Sequence, residues 1–86
     1  MRITVYEKTL TVCQPCRATK RKLDLLGLPY EAISADETPG VADELREAGF
    51  LQSPVVRVYD EETLALVQEW SGYRPELLAA LAGKRS

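Results

Sequence analysis

Eighty-six residues make one small domain and no more. At 45% hydrophobic and 28% charged residues the chain has the balance of a soluble globular protein, and no apolar run approaches the roughly 18 residues needed to span a bilayer. A formal charge of −2 and a pI near 5.1 speak against nucleic acid as a partner.

Taken in chain order, Arg2 to Tyr6 is predicted as a first strand, Ile3 and Val5 on one face and Thr4 and Tyr6 on the other. This strand-like amino terminus lacks the apolar core of a signal peptide, so a cytoplasmic protein of a bacterium or phage is expected. A polar connection, Glu7 to Val12, leads to Cys13 and Cys16. A helix is expected from Gln14 to Leu26, because Cys16, Thr19, Leu23 and Leu26 follow at steps of three, four and three along one helical face. Gly27 suits its end. Leu28 to Ser34 reads as a second strand.

Thr38-Pro39 is expected to open the next helix, threonine as cap and proline at the first helical position. Val41, Ala42, Leu45 and Ala48 would be its apolar face and Gly49 its end. Ser53-Pro54 breaks the chain before the β-prone run Val55 to Tyr59. After a turn at Asp60-Glu61-Glu62, Thr63 to Glu69 is expected to return as the second arm of an antiparallel hairpin. Pro75 again fits a first helical position. Leu77, Leu78 and Leu81 follow as an apolar face, Gly83 as the end, and Lys84-Arg85-Ser86 as a flexible tail. The order is βαβαββα. Right-handed crossovers would make the first three strands parallel, the hairpin adding an antiparallel edge. With helices on both faces of this four-stranded mixed sheet, the result is a single thioredoxin-like α/β domain over residues 1–82.

The cysteines carry the chemistry. The chain has two, and no histidine. That excludes Ser-His and Cys-His catalytic pairs and imidazole metal ligands. Two thiols complete a four-ligand zinc site only with carboxylates or a second chain. A bridge between residues three apart closes too small a loop to serve as a structural staple. A bare CxxC also occurs in copper and zinc sites, and two small cysteines can simply pack in a core. At the junction of a strand and a helix in a βαβ unit, the motif points to dithiol redox chemistry. Cys13 falls at the helix cap, where free N–H groups and the positive end of the helix dipole favour a thiolate, so it is the expected nucleophile. Cys16 lies one turn in, on the core-facing stripe, placed to resolve a mixed disulfide. Pro15 stiffens the first turn.

Charge is unevenly spread. Residues 1–30 carry six Lys/Arg against two Asp/Glu, residues 31–69 two against ten, and residues 70–86 three against one. Lys8 and Arg17 are therefore expected to help stabilise a thiolate on Cys13. A cis Ser53-Pro54 bond beside the redox pair would turn the Ser53 backbone toward an incoming peptide. Trp70 and Tyr73, following the last strand, can cover the core or meet a substrate.

Four segments resemble the NrdH-redoxins, glutaredoxin-like proteins with thioredoxin-like behaviour. They are Arg2-Ile3-Thr4-Val5-Tyr6 with Lys8, the Cys13/Cys16 pair, Gly49 to Val56, and Trp70-Ser71-Gly72-Tyr73-Arg74-Pro75. The last is the most specific to this branch. The resemblance implies a protein-disulfide reductant whose Cys13–Cys16 pair cycles between dithiol and disulfide. Electrons would come from NADPH through thioredoxin reductase and pass to class Ib ribonucleotide reductase or other protein disulfides. It also implies a monomer with no bound cofactor or metal, acting in the cytoplasm on neither nucleic acid nor membrane, and feeding deoxyribonucleotide synthesis. Ser53, Pro54, Trp70, Ser71, Gly72, Tyr73 and Arg74 would form the substrate surface. Where glutathione-dependent glutaredoxins carry an acidic residue to meet the glutathione amine, Ser71-Gly72-Tyr73-Arg74 has none. A glutathione-dependent glutaredoxin is the alternative within the fold, and a CxxC carrier of copper or an iron–sulfur cluster the alternative outside it. Two features depart from the family pattern: the pair Gln14-Pro15 between the cysteines, and a connection from Lys8 to Cys13 about two residues longer than usual.

Overall fold

Alternation of apolar and polar residues builds the first strand, and the cap chemistry of each glycine ends the first two helices. A computed structural model describes residues 1–84, with the elements β1 (Arg2–Glu7), α1 (Gln14–Leu25), β2 (Glu31–Ser34), α2 (Val41–Glu47), β3 (Val55–Tyr59), β4 (Leu66–Ser71) and α3 (Pro75–Lys84). The βαβαββα order is as expected. The four strands form one mixed sheet in the order β2-β1-β3-β4.

Strand direction departs from expectation at β3. β1 and β2 are parallel, Thr4 opposite Glu31, but β3 runs antiparallel to β1, with Arg2 opposite Tyr59 and Tyr6 opposite Val55. The chain re-enters the sheet at the end where β2 left it, Ser34 lying opposite Glu7 and Val55 opposite Tyr6, so the connection through α2 is not a crossover between parallel strands. The hairpin of β3 and β4 is antiparallel as expected, with Val56 opposite Trp70.

Helices cover both faces. Ile3, Val5, Val56, Val58 and Trp70 point from the sheet toward Leu23 of α1 and Leu78 and Leu81 of α3, forming the core. On the other face Arg57 reaches both Glu44 of α2 and Glu69 of β4, each at 3.1 Å, and lies 5.4 Å from the Tyr6 ring centre. Burial opposes the charge of Arg57, yet hydrogen bonds to Glu44, Glu69 and Tyr6 hold its pKa above the ordinary value.

Element ends follow local chemistry. Gly27 (φ 69°) and Gly49 (φ 95°) both terminate helices in the left-handed region. At each, the residue after the glycine donates its N–H five residues back, Leu28 to Leu23 and Phe50 to Leu45, so the last carbonyls are satisfied. Leu26 is the cap of α1, just beyond its last residue. β2 begins at Glu31 rather than Leu28. α2 begins at Val41, not at Thr38-Pro39: its cap is Gly40 at φ 83°, a left-handed residue that separates Pro39 from the helix. Of the expected apolar face of α2 only Leu45 is buried. β4 starts at Leu66 instead of Thr63, because the Asp60 carboxylate takes the N–H groups of Glu62 and Thr63, both at 2.9 Å, and widens the turn. α3 continues through Gly83 to Lys84. The rest of the expected tail, Arg85 and Ser86, lies outside the described residues. No helix among the described residues is long and apolar enough to cross a membrane.

Candidate active site: the cysteine pair at the start of α1

β1 ends at Glu7 and the chain reaches Cys13 through an exposed loop. Cys13 caps α1 in an extended conformation (φ −126°, ψ 94°), with Pro15 in the first turn, where a missing N–H leaves no bond unmade. Cys13 and Cys16 are joined as a disulfide, their Cα atoms 5.3 Å apart. The Cys16 N–H donates to the Cys13 sulfur at 3.3 Å, and the Arg17 N–H to the Cys13 carbonyl at 3.1 Å. Both cysteines are buried, Cys13 being 9% exposed and Cys16 1%. Cys13 stands at the helix cap, where the free N–H groups favour a thiolate. One turn beyond Cys16, the Thr19 hydroxyl is buried with no hydrogen-bond partner.

The connection before Cys13 is held by a residue that sequence reasoning missed. The Asp36 carboxylate, just past β2, accepts the Thr9 N–H at 3.0 Å and the Leu10 N–H at 3.0 Å. It also accepts the hydroxyls of Thr9 (3.2 Å) and Ser34 (2.9 Å). The backbone bonds from Thr9 and then Leu10 hold its pKa well below the usual carboxylate range. The only signal in the sequence was an aspartate following a strand. Its target depended on β1 and β2 being parallel neighbours that end together.

A second loop arrives at the same end of the sheet. The Ser53-Pro54 peptide is cis and Pro54 is fully buried. Its carbonyl accepts the Gly72 N–H at 2.8 Å, joining the proline loop to the segment after β4. A Cβ on Gly72 (φ 82°) would stand 3.0 Å from the Gln52 side-chain oxygen. Because Tyr6 faces Val55 and Val55 faces Ser71, these loops and the one before Cys13 share one edge of the molecule. Ser53 and Lys8 both line a groove of about 170 Å³, with Tyr6, Asp36 and Leu51. A larger groove, about 800 Å³, lies at the far end around Arg2, Tyr30 and Tyr59, and no expected site residue lines it.

The remaining expected site residues are placed as follows. Trp70 is 6% exposed and belongs to the core, Ser71 and Gly72 are half-buried, and Tyr73 and Arg74 are exposed. Arg74 pairs with Glu76. Lys8 and Arg17 are exposed, and neither has an ion-pair partner among the described residues. No group of three or more His, Cys, Asp or Glu that could hold a metal occurs among the described residues.

The glutaredoxin sequence profile matches residues 3–63. A glutaredoxin-like protein NrdH of Escherichia coli strain K12 is 41% identical over 81 residues, 94% of this chain and 89% of that one. Its counterpart in Salmonella typhimurium is 40% identical over the same shares. The solved structure of an E. coli NrdH-redoxin, described for its thioredoxin-like activity profile, superposes with a TM-score of 0.78 at 38% identity, covering 94% of this chain and 95% of that one. Mitochondrial thioredoxin 3 of Saccharomyces cerevisiae shares the fold alone, with a TM-score of 0.68 at 18% identity over 96% of this chain and 76% of its own. With its redox pair at the strand-to-helix junction, the chain is a dithiol–disulfide oxidoreductase and belongs to the glutaredoxin family, in its NrdH-redoxin branch.

Proposed function

We propose that the protein carries electrons from thioredoxin reductase, and ultimately NADPH, to protein disulfides, class Ib ribonucleotide reductase being the principal acceptor. The observation that carries the exchange chemistry is the placement of the pair: Cys13 is the cap of α1, the less buried of the two, and Cys16 lies one turn in on the core side. The Cys13 thiolate attacks one sulfur of the partner disulfide, forming a mixed disulfide and releasing a partner thiolate that takes up a proton. Cys16, losing its proton, then attacks Cys13, and the second partner thiolate leaves. Two electrons pass to the partner and the Cys13–Cys16 disulfide remains for the flavoprotein dithiol to reduce. Lys8 and Arg17 add positive charge near the thiolate. Ser53 offers its backbone, and Ser71, Gly72, Tyr73 and Arg74 flank the incoming peptide, with Trp70 supporting them from the core. The reading has the protein act as a monomer in the bacterial cytoplasm, or in a phage-infected one, with no bound cofactor. Its potential is expected at roughly −200 to −270 mV, between glutaredoxin and thioredoxin values.

Support for the choice of reductant comes from the thioredoxin-like profile named for the E. coli relative and from the lack of a carboxylate in Ser71 to Arg74. NADPH consumption with thioredoxin reductase, with and without a class Ib ribonucleotide reductase, tests it. Turnover supported by glutathione and glutathione reductase, with none from thioredoxin reductase, would replace this reading with a glutathione-dependent glutaredoxin. Cys16→Ser is expected to accumulate the mixed disulfide with a protein substrate on a non-reducing gel, whereas Cys13→Ser forms none. The reverse pattern would invert the assigned roles. Tight Cu(I) binding without any disulfide reduction would favour a metal carrier.

A further inference from the structure

Helices usually start with acidic residues, because a negative charge there complements the dipole. α2 does so with Asp43 and Glu44, and α3 with Glu76. α1 has no acid in its first turn and instead carries Arg17 there. Four residues on, Arg21 lies on the same face, a like-charge spacing that disfavours the helix. From Lys8 to Leu23 the chain holds five cations and no Asp or Glu. Among the described residues only Lys20 of these is neutralised, by Glu7 at 2.7 Å. Lys8, Arg17 and Arg21 are exposed and have no ion-pair partner among the described residues; Asp24, one turn beyond Arg21, forms none with it. The acids of α2 belong to the opposite face of the sheet, where Glu44 holds Arg57. Charges placed against local helix preference, on the helix that Cys13 caps, indicate a surface kept for a partner rather than for stability.

We propose that the Arg17–Arg21 face of α1 is a docking surface for disulfides set among acidic residues, so that acidic cystine-bearing polypeptides are the preferred substrates. This rests on the dithiol reading of Cys13 and Cys16. Arg21 follows Cys13 by eight residues, about 12 Å along a helix. An extended substrate strand, rising about 3.3 Å per residue, brings a carboxylate three or four positions from its cystine opposite that guanidinium. The attraction acts over a Debye length of about 10 Å at 0.1 M salt, so it should fade as salt is raised.

The test uses the full chain, reduced beforehand, in single-turnover reduction of two cystine peptides. They are identical except for Asp-Glu or Lys-Lys placed three and four residues from the cystine. At 20 mM NaCl the acidic peptide is expected to react about tenfold faster than the lysine peptide, and at 500 mM less than about twofold faster. In Arg21→Glu the acidic-to-lysine ratio at low salt is expected to fall at least about threefold. Lys84→Glu, the same charge change on the last described helical residue, should leave the ratio unaltered. Equal rates for the two peptides at low salt, a ratio indifferent to salt, or an equal fall in Lys84→Glu would overturn the proposal. Bis(2-hydroxyethyl) disulfide, which is neutral, separates the two levels of the argument. If it is reduced while the peptides are not distinguished, only the docking surface is wrong; if it is not reduced, the dithiol reading fails as well.

Discussion

Asp36 performs at one position what several residues would otherwise share. It lies two residues past the end of a short strand, yet its carboxylate organises the loop that leads to Cys13, through Thr9 and Leu10. Asp36→Asn keeps the size but turns one acceptor oxygen into a donor facing backbone N–H groups. Faster hydrogen exchange at Thr9 and Leu10 is expected, with the α1 amides beyond the first turn unchanged, as read by NMR. The pH dependence follows from the depressed pKa. Stability from the carboxylate is complete above the ordinary value of 3.8, and is lost as pH falls from there through the lower folded-state value. The wild-type unfolding midpoint should therefore fall more steeply with acid below about pH 4 than that of Asp36→Asn, and the two should run parallel from pH 5 to 7. The placement of Cys13 at the cap of α1 and of Cys16 in its first turn was legible from spacing alone, because a helix cap and its first turn are local. Asp36 was not, because its partners lie 26 and 27 residues away.

Glycines set the ends of α1 and α2, and α2 is the element most dependent on its termini. It is seven residues long with Leu45 as its only buried side chain, too short to be stable by itself. Its carboxyl end relies on Gly49 at φ 95°, where an added Cβ would meet nothing within 4 Å. Gly49→Ala therefore isolates the backbone effect from crowding. It is expected to cost about 1 kcal/mol in denaturant unfolding, the penalty of a left-handed L-residue. A near-zero change would mean that the turn shifts to a right-handed form and that this cap is dispensable. The start of α2 was misread from Thr38-Pro39, a good capping pair by composition. Gly40 lies between that pair and the helix, and its left-handed backbone cannot be read from the letter G alone.

At the scale of the whole molecule, one apolar layer joins α1 and α3 to the sheet and holds the redox edge in place. Leu78 is completely buried within it. Leu78→Ala should cost about 2–5 kcal/mol by lost transfer energy and cavity formation, a large part of the roughly 5–15 kcal/mol that stabilises a domain of this kind. The denaturant midpoint measures it, and a cost below about 1 kcal/mol would mean the layer repacks freely. The same architecture separates charge. The cations of α1 stand on one face and the acids of α2 on the other, while Asp60, Glu61 and Glu62 occupy the turn at the end remote from Cys13. A chain with a formal charge of −2 thus carries exposed cations on the helix that Cys13 caps.

The sequence by itself determined the order of elements, the placement of the cysteine pair at a strand-to-helix junction, and the glycines that end α1 and α2. Each depends on side-chain periodicity or on caps within a few residues of one another. Only the tertiary structure decided that β3 runs antiparallel to β1, that Asp36 holds the loop before Cys13, and that Trp70 is a core residue beneath the Ser71–Arg74 segment. Each depends on which distant segments the sheet brings side by side, and side-chain periodicity and local caps do not encode that pairing.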